Sequence, residues 1–379
     1  QLRNTIRSLE KTDGVVSGVE HGSAELQKFL EQGKDIIITT IQKFPFISEK
    51  ISSIGNRSFA VIIDEVHSSQ SGELSKELKS TLSKTEDDSD DDAFDYEEML
   101  RREIQNRGQK EHISFFGFTG TPKEKTLELF GTKTTEGQFV PFDVYSMHQS
   151  IHEGFTLDVL QNYTTYSRYF RVKQTKDGDI EIPISQGKRE LVRYVDSHEQ
   201  TIQYKVNIIL DHWTDIGSKG IQGRSRGMIV TQSRRHCIQY FEEVNRQLEE
   251  RGLTYKALVG FSGEVKFTGK SIEGDRHTEA SLNRSIGHEG DVPVGLKNPK
   301  FRLLIVANKF QTGFDEPLVQ SMYVDKHLGG VQCVQTLSRL NRRTSGKDST
   351  FVLDFVNKPN EITESFQKFY TSTALEGET

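Results

Sequence analysis

Two adjacent carboxylates, Asp64 and Glu65, close the apolar run Val61-Ile62-Ile63 and are followed by Val66 and His67. A buried strand that ends this way delivers both acids to a sheet edge. Mg²⁺ favours carboxylate oxygen together with nucleotide phosphates, so Asp64 suits the metal, directly or through water. Glu65 then suits orienting or deprotonating the water that attacks in phosphoryl transfer. His67, two residues on, can hydrogen-bond a neighbouring loop. Strands ending in Asp-Glu are common, so the pair alone leaves a structural role open. Three further stretches follow it: Thr119-Gly120-Thr121-Pro122, Thr312-Gly313-Phe314-Asp315, and Gln335-x-x-x-Arg339-x-x-Arg342. The two arginines would also suit a basic surface helix. A planar, permanently charged guanidinium is equally suited to holding phosphate.

The elements that must position these residues read as α/β. Leu26 to Leu30 is amphipathic and precedes Ile36-Ile37-Ile38, which ends in Thr39-Thr40. Phe59 to Ile63 runs into the acidic pair, and Ile113 to Phe118 runs into Thr119. Short, nearly continuous apolar runs separated by helical stretches are what a parallel sheet covered on both faces requires. Polar residues follow each run at its carboxyl end, where open α/β sheets bind ligands. The second half repeats the logic with Gly227 to Val230, Tyr255 to Val259, Phe301 to Val306, Ser321 to Val324 and Thr350 to Leu353, with a helix over Arg235 to Glu250. The expected organisation is a first domain over 1–150, a junction over 151–200 and a second domain over 201–358. A helical region is expected to start in 359–379, where Glu361 to Phe369 is consistent with a helix.

The chain has 379 residues, enough for about two domains with a core each. The mean hydropathy of -0.59 and the lack of a long apolar run exclude a membrane-spanning protein. No signal region opens the chain at Gln1-Leu2-Arg3, which reads as an interior cut. Two cysteines, Cys237 and Cys333, make neither a disulfide scaffold nor a zinc site, and a reducing cytoplasm fits. The net charge of -6 is dominated by residues 86–98, which hold nine acids and no base. Without them the balance is 49 basic against 46 acidic residues, and 300–347 is locally basic, so a polyanionic partner is not excluded. The acidic run reads as a flexible tether, or alternatively as an electrostatic guard over a basic groove.

The four stretches, in this order, resemble the ordered motifs of superfamily 2 helicases and translocases. Gly117 to Pro122, Glu153-Gly154-Phe155-Thr156-Leu157-Asp158, Asn162-Tyr163-Thr164 and Gln335 to Arg342 resemble more narrowly the motor subunit of type I restriction enzymes. That resemblance runs roughly from Thr39 to Phe355. It implies two tandem RecA-like parallel-sheet domains with an ATP and DNA cleft between them. It implies that Thr39, Thr40, Gln42 and Lys43 contact the DNA backbone, and that Thr119 and Thr121 link the ATP site to the DNA groove. In the second domain Thr231, Ser233 and Arg234 match the first backbone-contacting loop. Gln311, Thr312, Gly313 and Asp315 would respond to DNA and nucleotide, Gln335 would join the nucleotide site, and Arg339 and Arg342 would reach the phosphates. ATP and Mg²⁺ are the implied cofactors, with Asp64 as the metal ligand and Asp64, Glu65, His67, Arg339 and Arg342 as the catalytic set. The implied partners are double-stranded DNA and the methyltransferase and specificity subunits.

The phosphate-cradling loop G-x-x-x-x-G-K-[ST] does not occur here. Gly263 to Ser271 has one residue too many, lies in the wrong domain and reads as a loop; Ser345-Gly346-Lys347-Asp348 reads as a turn. Glu264-Val265-Lys266 has the letters of a nuclease triplet without a paired Asp before it. The phosphate loop and the nuclease centre are therefore expected upstream of Gln1, and this chain alone is expected neither to hydrolyse ATP efficiently nor to cut DNA. A strand-separating helicase of the same superfamily and a non-catalytic DNA-binding remnant are the other readings.

Overall fold

The computed structural model describes residues 2–10, 12, 14–40, 57–65, 113–122, 124–166, 199–269 and 274–370. The chain divides into two compact units, Gln1–Asp143 and Val144–Thr379.

In the first unit, helix α1 (Leu2–Leu9), strand β1 (Val16–Gly18), helix α2 (Ser23–Glu31) and strand β2 (Ile36–Ile38) precede β3 (Phe59–Asp64) and β4 (Ile113–Phe118). β1 pairs with β2 and β3 with β4, both parallel. Leu26 and Leu30, four apart on one face of α2, are buried with Ile113 against Ile37, Phe59, Val61 and Phe115, so one helix stripe packs on strands of both pairs. The outward face of β3 and β4 carries Ile62, Phe116 and Phe118 exposed among the described residues. The unit ends in α3 (Glu124–Phe130) and the small hairpin β5 (Thr132–Lys133) and β6 (Phe139–Val140).

The second unit holds α4 (Met147–His152), β7 (Tyr163–Thr165), α5 (Glu199–Asp215), β8 (Arg226–Thr231), α6 (Arg234–Glu250) and β9 (Lys256–Gly260). After the hairpin β10 (Glu264–Lys266) and β11 (Arg276–Thr278) come α7 (Glu279–Ser285), β12 (Phe301–Val306), β13 (Val319–Asp325), α8 (Gly330–Leu337), β14 (Phe351–Asp354) and α9 (Pro359–Tyr370). Six strands form one parallel sheet in the order β7-β14-β13-β8-β12-β9. All six residues of β8 are buried, as a central strand covered on both faces requires. Trp213 of α5 and Tyr240 and Phe241 of α6 are among the large side chains sealed in its core. Ser233 starts α6 by accepting from the backbone N–H of His236 at 3.2 Å, an N-cap that fixes where β8 hands over to the helix.

The expected strands are present wherever the residues are described. Residues 144–166 pack with the second unit, and Tyr163–Thr165, expected within a junction, is the edge strand of its sheet. The reason is a tertiary one: Tyr163 donates its hydroxyl to Asp354 at 2.8 Å and Asn162 donates to the Thr350 carbonyl at 3.0 Å, contacts with no local signature. α9 buries Ile362 and Phe366 in this unit's core and packs on α8. Cys237 and Cys333 are free and buried. Among the described residues no helix is long and apolar enough to cross a membrane.

Candidate functional site

In the first unit the β3–β4 register pairs Asp64 with Phe118, so Asp64-Glu65 and Thr119-Gly120-Thr121 leave the same carboxyl edge side by side. Asp64 is exposed and accepts the Glu65 backbone N–H at 3.0 Å. Glu65 has φ 51, a left-handed conformation uncommon for a residue with a side chain. Such strain is retained where surrounding structure imposes it and clusters at functional turns. Thr119 Oγ1 accepts from Thr121 N at 3.1 Å, closing a tight turn, and Thr121 is buried. Thr39 and Thr40 leave β2, and the Thr39 hydroxyl is buried with no partner among the described residues. Gln42, Lys43, His67 and the acidic run 86–98 lie outside the described residues.

In the second unit the loop between β12 and β13 carries three left-handed residues, Asn308 (φ 61), Phe310 (φ 66) and Gly313 (φ 66). Phe310 packs against Phe314 at 5.2 Å between ring centres and lies so close to Gly260 that a Cβ there would meet it at 2.6 Å. Gly260 is thus required by the loop's path. Arg339 donates through Nη1 to the Phe314 carbonyl at 2.8 Å and through Nε to the Gln335 carbonyl at 3.1 Å. Arg342 donates to Asp315 at 3.1 Å, a pair with both side chains more than a third exposed. The loop and the arginine segment, expected from separate stretches of sequence, are therefore one assembly. Thr312, Gly313 and Asp315 are exposed on it, and Gln335 and Arg339 are half-buried.

Two expected backbone-contacting side chains are placed differently. Thr231 is fully buried and donates its hydroxyl to the Val306 carbonyl at 2.9 Å, tying β8 to β12. Gln311 is buried, its Oε1 accepting from Lys326 Nζ at 3.3 Å and from Thr336 at 3.4 Å. These hydrogen bonds would have to be released before the side chain concerned met a phosphate. Arg234 is exposed and donates to the Ser262 carbonyl at 3.1 Å, while Ser233 is committed to its helix cap.

Two lysines escape a motif reading. Lys326 is buried and also donates to Asn308 Oδ1 at 2.6 Å; burial pushes its pKa down. Lys347 is 3% exposed and donates to the carbonyls of Pro317 at 3.0 Å, Val319 at 2.7 Å and Leu340 at 2.8 Å. It staples the end of the β12–β13 loop to the arginine segment. Burial, then the charge of Arg342, push its pKa down to about 7 against the pull of Glu316. The turn at Ser345-Gly346 was legible; the burial of the next residue was not. Glu264 to Lys266 is a hairpin strand with Glu264 exposed and ion-paired to Arg276, not a strand-to-helix loop, while Lys270 and Ser271 lie outside the described residues.

Among the described residues no three His, Cys, Asp or Glu side chains gather as a metal cluster. The exposed carboxylates of Asp64 and Glu65 still fit Mg²⁺, which is commonly held by one or two carboxylates with phosphate and water completing its shell.

Residues 277–357 match the family described as type I restriction enzyme subunit R domain 3, and residues 1–87 match the SWI2/SNF2 ATPase family. The endonuclease subunit of the type I restriction enzyme SauMSSORF170P from Staphylococcus aureus is 25% identical over 87% of this chain. That of HindI from Haemophilus influenzae is 24% identical over 92%. The chain is homologous to type I restriction enzyme endonuclease subunits. It spans about a third of these R subunits, 34% and 32% of their lengths. The crystal structure of the DUF1998 helicase MrfA bound to DNA superposes with a TM-score of 0.51 at 13% identity, covering 97% of this chain and 42% of that one. The chain thus shares the α/β fold of that helicase.

Proposed function

We propose that this chain is the motor core of a type I restriction enzyme's R subunit, translocating double-stranded DNA at the expense of ATP. The observation that carries the reading is the β3–β4 register, which sets Asp64-Glu65 beside Thr119-Gly120-Thr121 on one sheet edge. In this reading Glu65 accepts the proton of the attacking water and Asp64 holds Mg²⁺. The metal, when bound, neutralises phosphate charge. Arg342, half-exposed and kept in place by Asp315, supplies fixed positive charge to the phosphates, and Arg339 shapes the loop that presents Gly313 and Asp315. Thr39, Thr40, Thr312 and Arg234 touch the DNA backbone, while Thr231 and Gln311 brace the strand ends behind them. Phosphate contacts of this kind make binding insensitive to sequence and steeply salt-dependent. Methyltransferase and specificity subunits choose the site, in the cytoplasm.

The test is displacement of a third strand from triplex-marked duplex DNA by the natural polypeptide carrying this chain, assembled with those two subunits. ATP-dependent displacement without unwinding is the expected result, abolished by Glu65→Gln. Strand separation of a forked duplex would favour the helicase reading. DNA-stimulated ATP turnover by the 379-residue chain alone would overturn the expectation that the site is completed elsewhere.

A further inference from the structure

At the amino-terminal edge of β8, β9 and β12 lies a cavity of about 630 Å³, away from every motif position discussed above. Arg224, Arg226, Lys297, Lys300 and Arg302 line it together with Tyr255, and no acidic residue does. None of the five cations forms an ion pair among the described residues.

Arg226 is 4% exposed. Its Nε donates to the Leu296 carbonyl at 2.8 Å and its Nη1 to the carbonyls of Arg224 at 2.6 Å and Ser225 at 3.2 Å. Arg302 donates through Nη2 to the Ser218 carbonyl at 2.6 Å and lies over the rings of Trp213 at 5.4 Å and Tyr255 at 5.2 Å. Its Nε is buried with no partner among the described residues. Carbonyl contacts account for all three arginines, since Arg224 also donates to the carbonyls of Ile221 at 3.3 Å and Ser345 at 2.9 Å. They do not account for Lys297 and Lys300 lining the same concave surface. Arg224, Lys297 and Lys300 are exposed, but Arg226 is held out of water, which is costly for a charge unless an opposite charge meets it. Burial, then the neighbouring Arg302, already push the pKa of Arg226 down, with only Glu316 pulling the other way.

We propose that this cavity binds a phosphate-bearing ligand, with two or more neighbouring phosphates seated among the five cations. Linked phosphates bring several negative charges within a few ångströms, which a single carboxylate cannot, and the arginine fork matches their oxygens. A free polyphosphate or a nucleic-acid backbone offers this same chemistry. The proposal does not depend on the translocase reading.

Trp213 is the chain's one tryptophan and sits beneath Arg302, so its fluorescence reports the site. The experiment titrates the full chain with inorganic tripolyphosphate, and separately with a short DNA duplex, against sodium chloride at matched ionic strength. A saturable change with either probe is expected, tripolyphosphate alone identifying a free ligand and the duplex alone a nucleic-acid backbone. In Lys297→Glu/Lys300→Glu, whose two positions are exposed, binding should weaken at least tenfold with the melting temperature unchanged. No saturable change with either probe, or the same affinity in the doubly substituted chain, would overturn the proposal. So would a response to polyglutamate alone, which would make the partner an acidic peptide.

Discussion

At the end of β3 the two acids stand at the surface, presented by a strand, one left-handed residue and a backbone contact from Glu65 to Asp64. At the end of α8 the arginines belong to a packed assembly: Arg339 on the Phe314 carbonyl, Arg342 on Asp315, and Lys347 beneath them on three carbonyls. The first arrangement exposes chemistry and adds little to stability. The second uses buried hydrogen bonds to fix where charge can go. Substitution should therefore separate function from folding in the first unit and mix them in the second.

The strongest test of that contrast is Lys347→Met. It keeps the apolar stem but leaves three carbonyls without a donor, at about 1–3 kcal/mol for each unsatisfied group, so a loss of roughly 3–5 kcal/mol is expected in urea denaturation. A loss below about 1 kcal/mol would mean that water replaces the ammonium and that the staple is dispensable. Glu65→Gln should do the reverse. ATP turnover by the assembled enzyme should fall at least roughly 100-fold, the usual range for removing a general base, with the urea midpoint unmoved. A shifted midpoint would show that Glu65 holds its turn as well as its chemistry.

Acid should act on the second unit through His212. This side chain is buried, hydrogen-bonded to the Tyr323 hydroxyl at 2.8 Å and stacked on Phe351 at 3.8 Å, and burial pushes its pKa down to about 4. The unfolded chain takes up this proton near 6.5 and the folded one resists it, so stability should fall as pH drops from about 6.5 towards 4. Denaturation midpoints at pH 7, 5.5 and 4.5 measure the slope, and His212→Phe should flatten it. The smallest effect expected is that of Asp315→Ala. A half-exposed ion pair contributes about 0.2–1 kcal/mol, so stability should barely change while turnover drops as Arg342 loses its anchor.

The contrast also explains what sequence could reveal. Asp64-Glu65 and Thr119–Thr121 announce themselves because a strand end makes chemistry local: an apolar run, then the polar residues it presents. The strands of both units were legible for the same reason. Lys347 and Lys326 were not, because their partners lie at Pro317, Val319 and Leu340, and at Asn308 and Gln311, joined only by the folded loop. Thr231 and Gln311, both buried and hydrogen-bonded, illustrate the converse difficulty. Their positions in the motif order are clear, yet a spacing rule does not say whether a polar side chain turns towards solvent or towards the next strand.

The strand β7 has a consequence for how this polypeptide is made. It lies first among the strands of its sheet in sequence but pairs only with β14, the last, and Tyr163 meets Asp354 across a separation of 191 residues. A ribosome releases the earlier strand long before its mate exists. Until residues near 351 emerge, Tyr163–Thr165 has no place in the sheet, and its closing waits on a contact of high loop entropy. The nascent chain must keep this edge unpaired for most of the synthesis of the second unit, the interval in which a passing chaperone or a neighbouring nascent chain has its chance to capture it.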